Sequence, residues 1–381
     1  MTEPQPLEGI KVLELAQMVA GPGAGLLLAD YGADVIKVEP PGGDGARHLR
    51  SIAAAALPES PVFTSYNRDK RIVRLDLRSD EGRLKALELA NDADVVIESS
   101  RPGVMERLGL GADDLMHRNP GLVYASVSGF GRGPIGVTKG GVDIIVQAES
   151  GLMSTTGPVG GEPLKVGFTV IDAACGHALC HGILAALLRR TRTGRGEIVR
   201  VSLFDVALHL QTGPLAEYLM TGVQTPRSGN SAPLTAPADL LNCRDGAIIV
   251  SAYLPDHWQR FVEVIGAPEL LTDERFVSGV ERARSRSTLV ALLEERLGRD
   301  TVENWVQRLQ AVGVLVAEVR DYKSLVEAPV TSESGALRQF GEEWGVASPI
   351  HLENTGPRQL RARTECDAQG ATFRGKPHRD G

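Results

Sequence analysis

The sequence predicts an α/β fold with a parallel sheet, accompanied by a second, smaller α/β domain. In the first half of the chain, short apolar runs alternate with helical stretches, a pattern typical of a parallel sheet covered by helices. The length of 381 residues also exceeds what one ordinary hydrophobic core holds together, so two domains are expected.

The elements of the first half follow from the spacing of its apolar residues. In chain order they are strands at 10–16, 33–39, 93–99 and 122–128 with helices at 25–31 and 81–91, a β-like run at 166–171, an apolar helix at 173–190, and a strand leading into a helix at 196–205. Strands that alternate with helices in this way favour parallel pairing.

A stretch rich in Pro, Gly and Ser at residues 225–239 breaks the pattern and predicts a domain boundary. Beyond it, a strand at 247–253 and amphipathic helices at 287–297 and 302–312 predict a smaller α/β unit. We therefore predict a large domain over residues 1–224, a small domain over 225–325, and a C-terminal segment over 326–381 that returns to the large domain. The polar end of that segment, residues 357–381, has few apolar anchors and is expected to be poorly ordered.

Charge and composition limit the classes of partner. A net charge of −7 gives no general attraction to nucleic acid or to an anionic membrane, so any anionic ligand must be held by a local group of Arg and Lys. The amino-terminal residues lack the pattern of a signal sequence, and no membrane-spanning run of about 18 apolar residues is expected. The four cysteines lack CxxC spacing, which favours reduced thiols over a disulfide framework or a zinc site. We expect a cytoplasmic protein with no nucleic-acid partner, no membrane partner and no metal.

Asp172 is the leading candidate for chemistry, because it stands where the β-like run meets the apolar helix. The first turn of a helix offers unpaired N–H groups and the positive end of a dipole, which suit both an ionised carboxylate and an oxyanion beside it. The simpler interpretation of the residue alone is that Asp172 caps the helix, since Asp is a favoured N-cap residue. Both roles stay open at this point.

The opening segment also suits a dinucleotide-binding fold. A strand is followed by a Gly-Pro-Gly turn, a helix and a second strand ending at Glu39, the kind of position at which NAD enzymes bind a ribose. However, the spacing of Gly21, Gly23 and Gly25 differs from GxGxxG, and Pro22 removes a donor from the turn. NAD binding is therefore disfavoured.

Seven motifs in order along the chain resemble one known family. They are LEGIKVLELAQMVAGP, LLLADYGADVIKVEPPGGD, NRDKRIVRLDLRSDEG, ADVVIESSRPGVMERLGLG, YASVSGFGRGP, QAESGLMSTTG and LLRRTRTGRGEIVRVSLFD. The resemblance begins near Leu7, runs to about Pro349, and is to the class III CoA-transferases of CaiB/BaiF type. That group includes formyl-CoA transferase and carnitine CoA-transferase and is related to α-methylacyl-CoA racemase.

The resemblance implies a CoA-transferase with a Rossmann-like large domain and Asp172 as its nucleophile. Asp172 would attack an acyl-CoA to give a mixed anhydride and then an aspartyl-CoA thioester, from which an acceptor carboxylate takes the coenzyme. The expected partners are an acyl-CoA and a carboxylic acid, with CoA as a substrate and no tightly bound cofactor. Family members form interlocked homodimers in which each chain threads through the other, and the same assembly is implied here.

The resemblance also implies a set of coenzyme-binding residues. Arg107 and Arg78 match positions at the adenosine and phosphate end, and Ser99, Ser100 and Arg101 match the segment beside the adenine. The remaining implied positions are Leu75, Val19, Ala20, Gly140, Gly141, Val142 and Asp143. The alternative for the two arginines is pairing with nearby acids such as Glu106 or Asp80. The family's phosphate-binding Arg after the strand that ends at Glu39 is replaced by Pro40, so that contact must come from elsewhere or be absent.

The racemase relatives use a His within a Gly-His-Asp triplet to move a proton. Here the middle residue is Val142, which cannot exchange a proton, so racemisation is disfavoured. His177 and His181 have the i, i+4 spacing that suits a base or a metal, yet a third ligand is missing and packing in the core or an interface is expected for both. A 2-methylacyl-CoA racemase or isomerase and a catalytically silent CoA-binding homologue stay as alternatives.

Two departures from formyl-CoA transferase concern the acyl group. A Gln and a Tyr of that enzyme match Val19 and Val142, which predicts a more apolar acyl pocket. Its mobile loop of four glycines is replaced by SGNSAP at residues 228–233. The donor and acceptor acids do not follow from these changes.

Overall fold

In the computed structural model of the protein, the described residues are 4–356, 359 and 361–374. Within them the strands are Lys11–Glu14 (β1), Asp34–Glu39 (β2), Arg71–Arg74 (β3), Val95–Glu98 (β4), Val123–Ser128 (β5), Glu197–Ser202 (β6), Ala238–Asn242 (β7), Ala247–Ser251 (β8), Leu315–Glu318 (β9), Leu337–Phe340 (β10), Glu343–Val346 (β11) and Thr364–Cys366 (β12).

The α-helices of the same residues are Ala20–Asp30 (α1), Pro61–Asn67 (α2), Asp80–Asp92 (α3), Val104–Arg107 (α4), Ala112–Arg118 (α5), Pro134–Thr138 (α6), Asp143–Glu149 (α7), Leu152–Thr155 (α8), Val170–Thr193 (α9), Leu203–Leu210 (α10), Thr212–Thr221 (α11), Pro255–Val264 (α12), Gly279–Arg284 (α13), Arg286–Leu297 (α14), Val302–Ala311 (α15), Tyr322–Glu327 (α16) and Pro329–Ser334 (α17). Short 3-10 helices lie at Gly45–His48, Ile52–Ala54 and Pro268–Leu271.

A parallel sheet is the framework of the larger part of the chain. Its strand order is β12-β3-β2-β1-β4-β5-β6, and all neighbouring strands run parallel. Without β12, this is the 3-2-1-4-5-6 order of Rossmann folds. The predicted α/β class with a parallel sheet is therefore confirmed. The strand order reverses between β1 and β4, and such a point leaves a crevice beyond the carboxyl ends of the strands.

Helices cover both faces of this sheet, which explains why its strands read as apolar runs. On one face, α1 and α9 pack over the sheet with a shared core that includes Val12, Ala24, Ile97, Ala125 and Leu179. On the other face, α3 and α5 bury Ala86, Leu89 and Leu115 together with Leu13 and Val96. Each apolar face of the sheet is thus removed from water.

Two helices begin earlier than the sequence predicted. Helix α1 starts at Ala20 rather than at Gly25, so the Gly-Pro-Gly turn is itself helical. Pro22 is tolerated there because an N–H in the first turn has no helical partner. Helix α9 starts at Val170 and ends at Thr193, enclosing the predicted 173–190.

The β-like run at residues 166–171 is not a strand, and that prediction is wrong. Residues 166–169 are irregular, and the last two residues of the run already belong to α9. Gly167 interrupts the run, and the Val166 N–H donates to Gln147 Oε1 at 2.8 Å instead of to a neighbouring strand.

Six of the described strands were not predicted: β3, β7, β9, β10, β11 and β12. Two of them, β3 and β12, pair with each other in the parallel sheet. The short β3 carries only two buried residues, and β12 lies parallel to it within the polar end of the chain. Further along, Ala371 and Phe373 are buried in the core of the larger unit. The prediction of a poorly ordered end is therefore wrong for residues 364–374, because two apolar anchors and one strand suffice to fix them. Residues 375–381 lie outside the described residues.

The chain divides into two compact units. The larger comprises the described residues of 1–152, 166–219 and 332–381, and the smaller comprises 153–165 and 220–331. The smaller unit has an antiparallel sheet in the order β7-β8-β9 and a core of its own around Trp258, Phe261 and Trp305. The sequence analysis did not separate residues 153–165 from the large domain.

Helix α9 is long and apolar enough to cross a membrane by length and composition, and it is the one such helix among the described residues. A buried helix in the core of a globular protein passes the same test. Here Cys175, Leu179 and Ile183 of α9 are fully buried in the core beneath the sheet. Packing against the chain therefore accounts for the apolar residues on this face of α9.

Candidate active site

Asp172 lies in the first turn of α9, at the third helical residue rather than at the cap. The cap position belongs to Thr169, whose side chain makes no capping hydrogen bond. The interpretation of Asp172 as an N-cap is therefore wrong. Its side chain is partly buried, and burial first, then the charge of Asp143, raises the pKa of Asp172 to about 6. At neutral pH the carboxylate is still mainly ionised.

The missing cap of α9 is supplied by another helix. Asp143 opens α7, and its Oδ2 accepts hydrogen bonds from the N–H groups of Ile171 at 2.8 Å and Asp172 at 3.1 Å. Its other oxygen accepts a hydrogen bond from the side-chain amide of Gln147. Both Asp143 and Gln147 are buried, at 6% and 1% exposure. The backbone that carries Asp172 is therefore fixed by a buried carboxylate.

The segment between β1 and α1 lies at the point where the strand order reverses. Met18 has a left-handed backbone with φ of 70°, which is unusual for a residue with a side chain. The Met18 N–H donates to Asp44 Oδ1 at 3.0 Å, and this bond holds the conformation. The next residues, Val19 and Ala20, are buried at the start of α1. A fixed turn thus presents two of the predicted coenzyme-binding residues.

The turn rests on a group of buried charges. We call Glu14, Lys37, Asp44 and Lys70 the paired cluster; none of these side chains is exposed to solvent beyond 1%. The Lys37 ammonium lies 2.9 Å from Glu14 and 2.8 Å from Asp44, and the Lys70 ammonium lies 2.7 Å from Glu14. Every charge in it has an opposite charge beside it.

The glycines of α1 are explained by packing. A Cβ on Gly25 would lie 1.9 Å from Glu14 Oε2, and a Cβ on Gly21 would lie 2.3 Å from the Ala16 Cβ. Gly25 thus leaves room for the paired cluster, and Gly21 leaves room for Ala16 in the segment after β1.

Close packing of α1 on α9 brings the turn towards Asp172. A Cβ on Gly176 would lie 3.2 Å from the Ala20 carbonyl oxygen, so the two backbones touch one helical turn after Asp172. A Cβ on Gly23 would lie 3.7 Å from both the Gly176 Cα and the Tyr66 ring, so Tyr66 packs beside this contact. Burial first, then the charge of Asp172, raises the pKa of Tyr66. Tyr66 is therefore a neutral neighbour of Asp172 that no motif indicated.

The segment after β4 faces the same crevice. The Gln17 N–H donates to Ser99 Oγ at 3.1 Å, which ties this segment to the turn before α1. The Ser100 N–H donates to Glu98 Oε2 at 2.8 Å, and burial raises the pKa of Glu98 to about 7. Arg101 is exposed, and a Cβ on Gly140 would lie 3.4 Å from its Nη2. The fold thus brings Ser99, Arg101 and Gly140 to one edge of the sheet.

Gly141 is required by the close approach of two loops. A Cβ on Gly141 would lie 2.8 Å from the Gly129 Cα and 3.0 Å from the Phe130 ring. Val142 follows and is exposed, and Asp143 then turns inward. The Gly-Val-Asp triplet therefore sits directly before the residue that caps α9.

The two predicted phosphate contacts have no carboxylate partner. Arg78 and Arg107 are exposed, and neither guanidinium forms an ion pair or hydrogen bond with another described residue. The acids considered as partners are engaged elsewhere. Asp80 pairs with Arg83 at 2.5 Å, and Glu106 pairs with Arg132. Pairing with these acids is therefore wrong for both arginines.

At Leu75 and Pro40, unlike at Arg78 and Arg107, the side chain provides no charged contact for a coenzyme. The Leu75 side chain is buried in the core, so only its backbone is near the surface. Arg47, the first basic residue after Pro40, pairs with Glu39 at 2.8 Å, with Glu59 at 2.7 Å and with Glu365 at 2.8 Å. Arg47 is thus used by the fold and does not replace the missing phosphate contact.

His177 and His181 are exposed on α9, so packing in the core of the chain is wrong for both. Among the residues that the structure describes, no group of three or more His, Cys, Asp and Glu side chains could hold a metal ion.

Comparison with known proteins identifies one family. A family model described as CoA-transferase family III matches residues 7–365. A probable fatty acyl-CoA transferase of Mycobacterium tuberculosis, Rv3272, is 39% identical over 348 residues, 88% of either chain. An acetyl-CoA:oxalate CoA-transferase of Acetobacter aceti is 35% identical over 373 residues, 97% of this chain and 95% of its own.

The fold also matches a solved structure over nearly its whole length. A crystal structure of a CaiB/BaiF family protein from Brucella suis superposes with a TM-score of 0.87 at 33% sequence identity. The match covers 96% of this chain and 97% of the other.

Proposed function

The chain belongs to CoA-transferase family III, and on that premise we propose that it moves CoA from an acyl-CoA donor to a carboxylic acid acceptor through a thioester on Asp172. The observation that carries this proposal is the state of Asp172. It is an ionisable carboxylate in the first turn of a long helix, with its backbone fixed by Asp143 and with no cation pairing with it among the described residues. A paired carboxylate is a poorer nucleophile, because its charge is already stabilised.

In the first half of the reaction, an Asp172 oxygen attacks the thioester carbonyl carbon of the donor. A C–O bond forms, the C–S bond breaks, and the electron pair leaves on the CoA thiolate. The thiolate then attacks the Asp172 carbonyl carbon of this mixed anhydride. The products are the aspartyl-CoA thioester and the donor carboxylate.

The second half repeats these steps with the acceptor. Its carboxylate attacks the aspartyl thioester and expels the thiolate, and the thiolate attacks the acceptor side of the new anhydride. This releases acyl-CoA and restores the Asp172 carboxylate, so no proton is gained or lost overall. Holding the reactants in place is worth up to about 7–11 kcal/mol when effective molarity is high.

We place the coenzyme on the large domain predicted at residues 1–224, across the crevice between β1 and β4. The free guanidinium groups of Arg78 and Arg107 would bind its phosphates, since unpaired exposed cations are suited to charge-assisted contacts. The segment 99–101 would lie beside the adenine. The backbone of Val19, Ala20 and the Gly140–Val142 stretch would line the path to Asp172.

The acyl group is proposed to be a hydrocarbon rather than formyl or oxalyl. Val19 and Val142 would give an acyl pocket apolar walls, and each CH₂ buried there would contribute about 0.8 kcal/mol. A relative is named a probable fatty acyl-CoA transferase, which agrees with this preference, whereas another is named for oxalate. A screen of acyl-CoA donors against carboxylic acids, read by mass spectrometry, tests the substrate class.

Replacement of Asp172 tests the catalytic proposal. Asp172→Ala is expected to lose transfer almost completely while it still binds CoA and unfolds in one transition, since Asp172 is not the cap of α9. Retention of more than a small fraction of transfer would rule out the thioester on this residue.

Racemisation and a silent homologue are distinguished in the same assays. Val142 leaves no proton carrier where the racemases have His, so we expect little exchange of the α-proton of 2-methylacyl-CoA in D₂O. Rapid exchange without carboxylate-dependent transfer would favour the racemase. Binding of CoA with neither activity would favour the silent homologue.

We also propose an interlocked homodimer in the cytoplasm. Large apolar side chains such as Leu188 and Leu219 are 65% and 74% exposed in the single chain, which supports burial by a second copy. The cysteines are free, as expected in a reducing compartment. Sedimentation analysis and cell fractionation test these two proposals.

A further inference from the structure

Asp143 is the residue whose placement the reaction scheme leaves unexplained. Its carboxylate belongs to α7 but makes no capping bond to that helix. Instead it accepts the Ile171 and Asp172 N–H groups at the start of α9. Together with the Gln147 amide, these donors occupy both of its oxygens. A side chain so fully engaged by protein donors is not free to bind coenzyme.

Gln147 extends the contact to the segment that leads into α9. Its Nε2 donates to Asp143 and its Oε1 accepts the Val166 N–H at 2.8 Å. Two buried side chains of α7 therefore hold the backbone both before and at Asp172. We call Asp143 and Gln147 the α7 clamp.

A neutral residue could cap a helix equally well, since Ser and Asn rank with Asp at such positions. The choice of a charged cap needs another reason here, because it sets a second buried carboxylate beside Asp172. No Lys, Arg or His among the described residues pairs with Asp143. The two like charges therefore repel each other without a compensating cation.

We propose that Asp143 is a positioning residue for Asp172: through the clamp it fixes the backbone of the nucleophile, and through its charge it drives Asp172 towards the neutral acylated form. This inference rests on the proposed function. The repulsion exists while Asp172 is ionised and disappears once Asp172 becomes an anhydride or a thioester. Acylation of Asp172 is therefore favoured by relief of the repulsion.

The other groups around Asp172 do not supply this effect. From α2, Tyr66 is neutral because burial and the charge of Asp172 raise its pKa. On α9 itself, burial raises the pKa of Cys175 to about 12, so it is a neutral thiol. The charge of Asp205, from α10, contributes to the raised pKa of Cys175. The Asp205 carboxylate accepts a hydrogen bond from the Ser202 hydroxyl at 2.6 Å. Asp143 is thus the charged neighbour in direct contact with the Asp172 backbone.

The test uses Asp143→Asn, which keeps an acceptor oxygen but removes the charge, with Asp205→Asn as the matched control. In the full-length protein, the pKa of Asp172 is followed by ¹³C NMR of labelled aspartate, assigned by comparison with Asp172→Asn. We expect Asp143→Asn to lower the pKa of Asp172 by about one unit and Asp205→Asn to leave it unchanged. Single-turnover formation of the aspartyl-CoA thioester at pH 8 should fall about tenfold in Asp143→Asn, with CoA affinity within about twofold.

Unchanged Asp172 pKa and acylation rate in Asp143→Asn would overturn the inference, as would a loss of CoA affinity with no shift in pKa. If Asp143→Asn does not fold, Asp143→Ser, which also caps without charge, takes its place in the same measurements. The NMR titration needs no turnover, so it tests the clamp separately from the nucleophile. Failure of the proposed function would appear as transfer retained by Asp172→Ala.

Discussion

Two groups of buried charge in the larger unit differ in how their charge is compensated. In the paired cluster, both ammonium groups contact carboxylates, and each carboxylate has a cation within 3 Å. In the carboxylate pair, Asp143 and Asp172, two acids lie together without a cation, and the pKa of Asp172 is raised to about 6. The first arrangement holds a turn in place; the second contains the carboxylate that we propose as the nucleophile. Burial alone therefore does not reveal the use of a charged residue, whereas its partners do.

The two arginines that we propose as phosphate contacts also lack an oppositely charged partner among the described residues. Arg78 and Arg107 are left without acids although Glu106 and Asp80 are close in sequence. Arg47, in contrast, is held by three carboxylates and supports the fold. Free charge at this surface thus marks residues available to a ligand.

Breaking the paired cluster should have the largest effect. Lys37→Met removes the cation between Glu14 and Asp44, so the buried Asp44 loses its ion-pair partner and Glu14 keeps Lys70 alone. We expect a loss of about 3–5 kcal/mol in the free energy of unfolding, measured by urea denaturation at pH 7.5. Lys85→Met, which removes the partly exposed Lys85 paired with Glu88, is the control and should cost less than about 1 kcal/mol. Equal losses in the two variants would mean that the cluster is not a special support.

Removing a free cation should affect binding instead of stability. Arg107→Gln is expected to weaken CoA by about 1.5–3 kcal/mol, because a charge-assisted contact to phosphate is lost, and to leave the free energy of unfolding unchanged. Isothermal titration with CoA and with dephospho-CoA measures the effect and shows which phosphate is bound. Arg83→Gln, at an arginine already paired with Asp80, is the control. A similar loss in both variants would remove Arg107 from the site.

Removing a charge from the carboxylate pair should raise the free energy of unfolding, whereas removing Lys37 from the paired cluster should lower it. Because the folded-state pKa of Asp172 lies above its ordinary value, its contribution to stability is complete below about pH 4 and is lost as the pH rises through about 6. Asp172→Asn imitates the protonated form, so it should raise the free energy of unfolding by about 1–3 kcal/mol at pH 7.5. Denaturation at pH 4 should show almost no difference. A variant less stable than wild type at pH 7.5 would contradict the unpaired state of Asp172.

The smallest effect is expected from the neutral neighbour. Tyr66→Phe keeps the ring against Gly23 and removes only a hydroxyl, so transfer should change less than about threefold, below one typical hydrogen bond. Steady-state kinetics over pH 5–8 measures this, with the position of the acid limb as a second readout. A shift of that limb as large as the one expected for Asp143→Asn would assign the effect on Asp172 to Tyr66.

The sequence predicted the central strands of the parallel sheet better than the short strands on one side of it. The alternation of apolar runs and helices was enough for the parallel sheet, because each central strand is buried on both faces. Strands β3 and β12 escaped notice because each is short: β3 carries two buried residues between β2 and β12, and β12 at the edge of the sheet is mostly exposed. The run at 166–171 has strand-like composition, yet Gly167 and the bond to Gln147 direct it into α9.

The sequence was enough to propose Asp172 as the nucleophile, but it did not indicate the contacts that hold this residue in place. Asp172 is marked by its motif context and by its place at the start of an apolar helix. The role of Asp143 depends on N–H groups some 28 residues further along the chain, and nothing local to the Gly-Val-Asp triplet indicates it. Tyr66 carries no motif at all and reaches the site only through the packing of α2 on α1.

The central claim is that Asp172, the uncompensated carboxylate, becomes covalently acylated. The most direct measurement incubates the full-length protein with acyl-CoA in the absence of an acceptor acid, adds hydroxylamine, and maps the peptides by mass spectrometry. We expect a hydroxamate on Asp172 in the wild type and none on Asp143. An unmodified Asp172 peptide in an enzyme that transfers CoA would contradict the account.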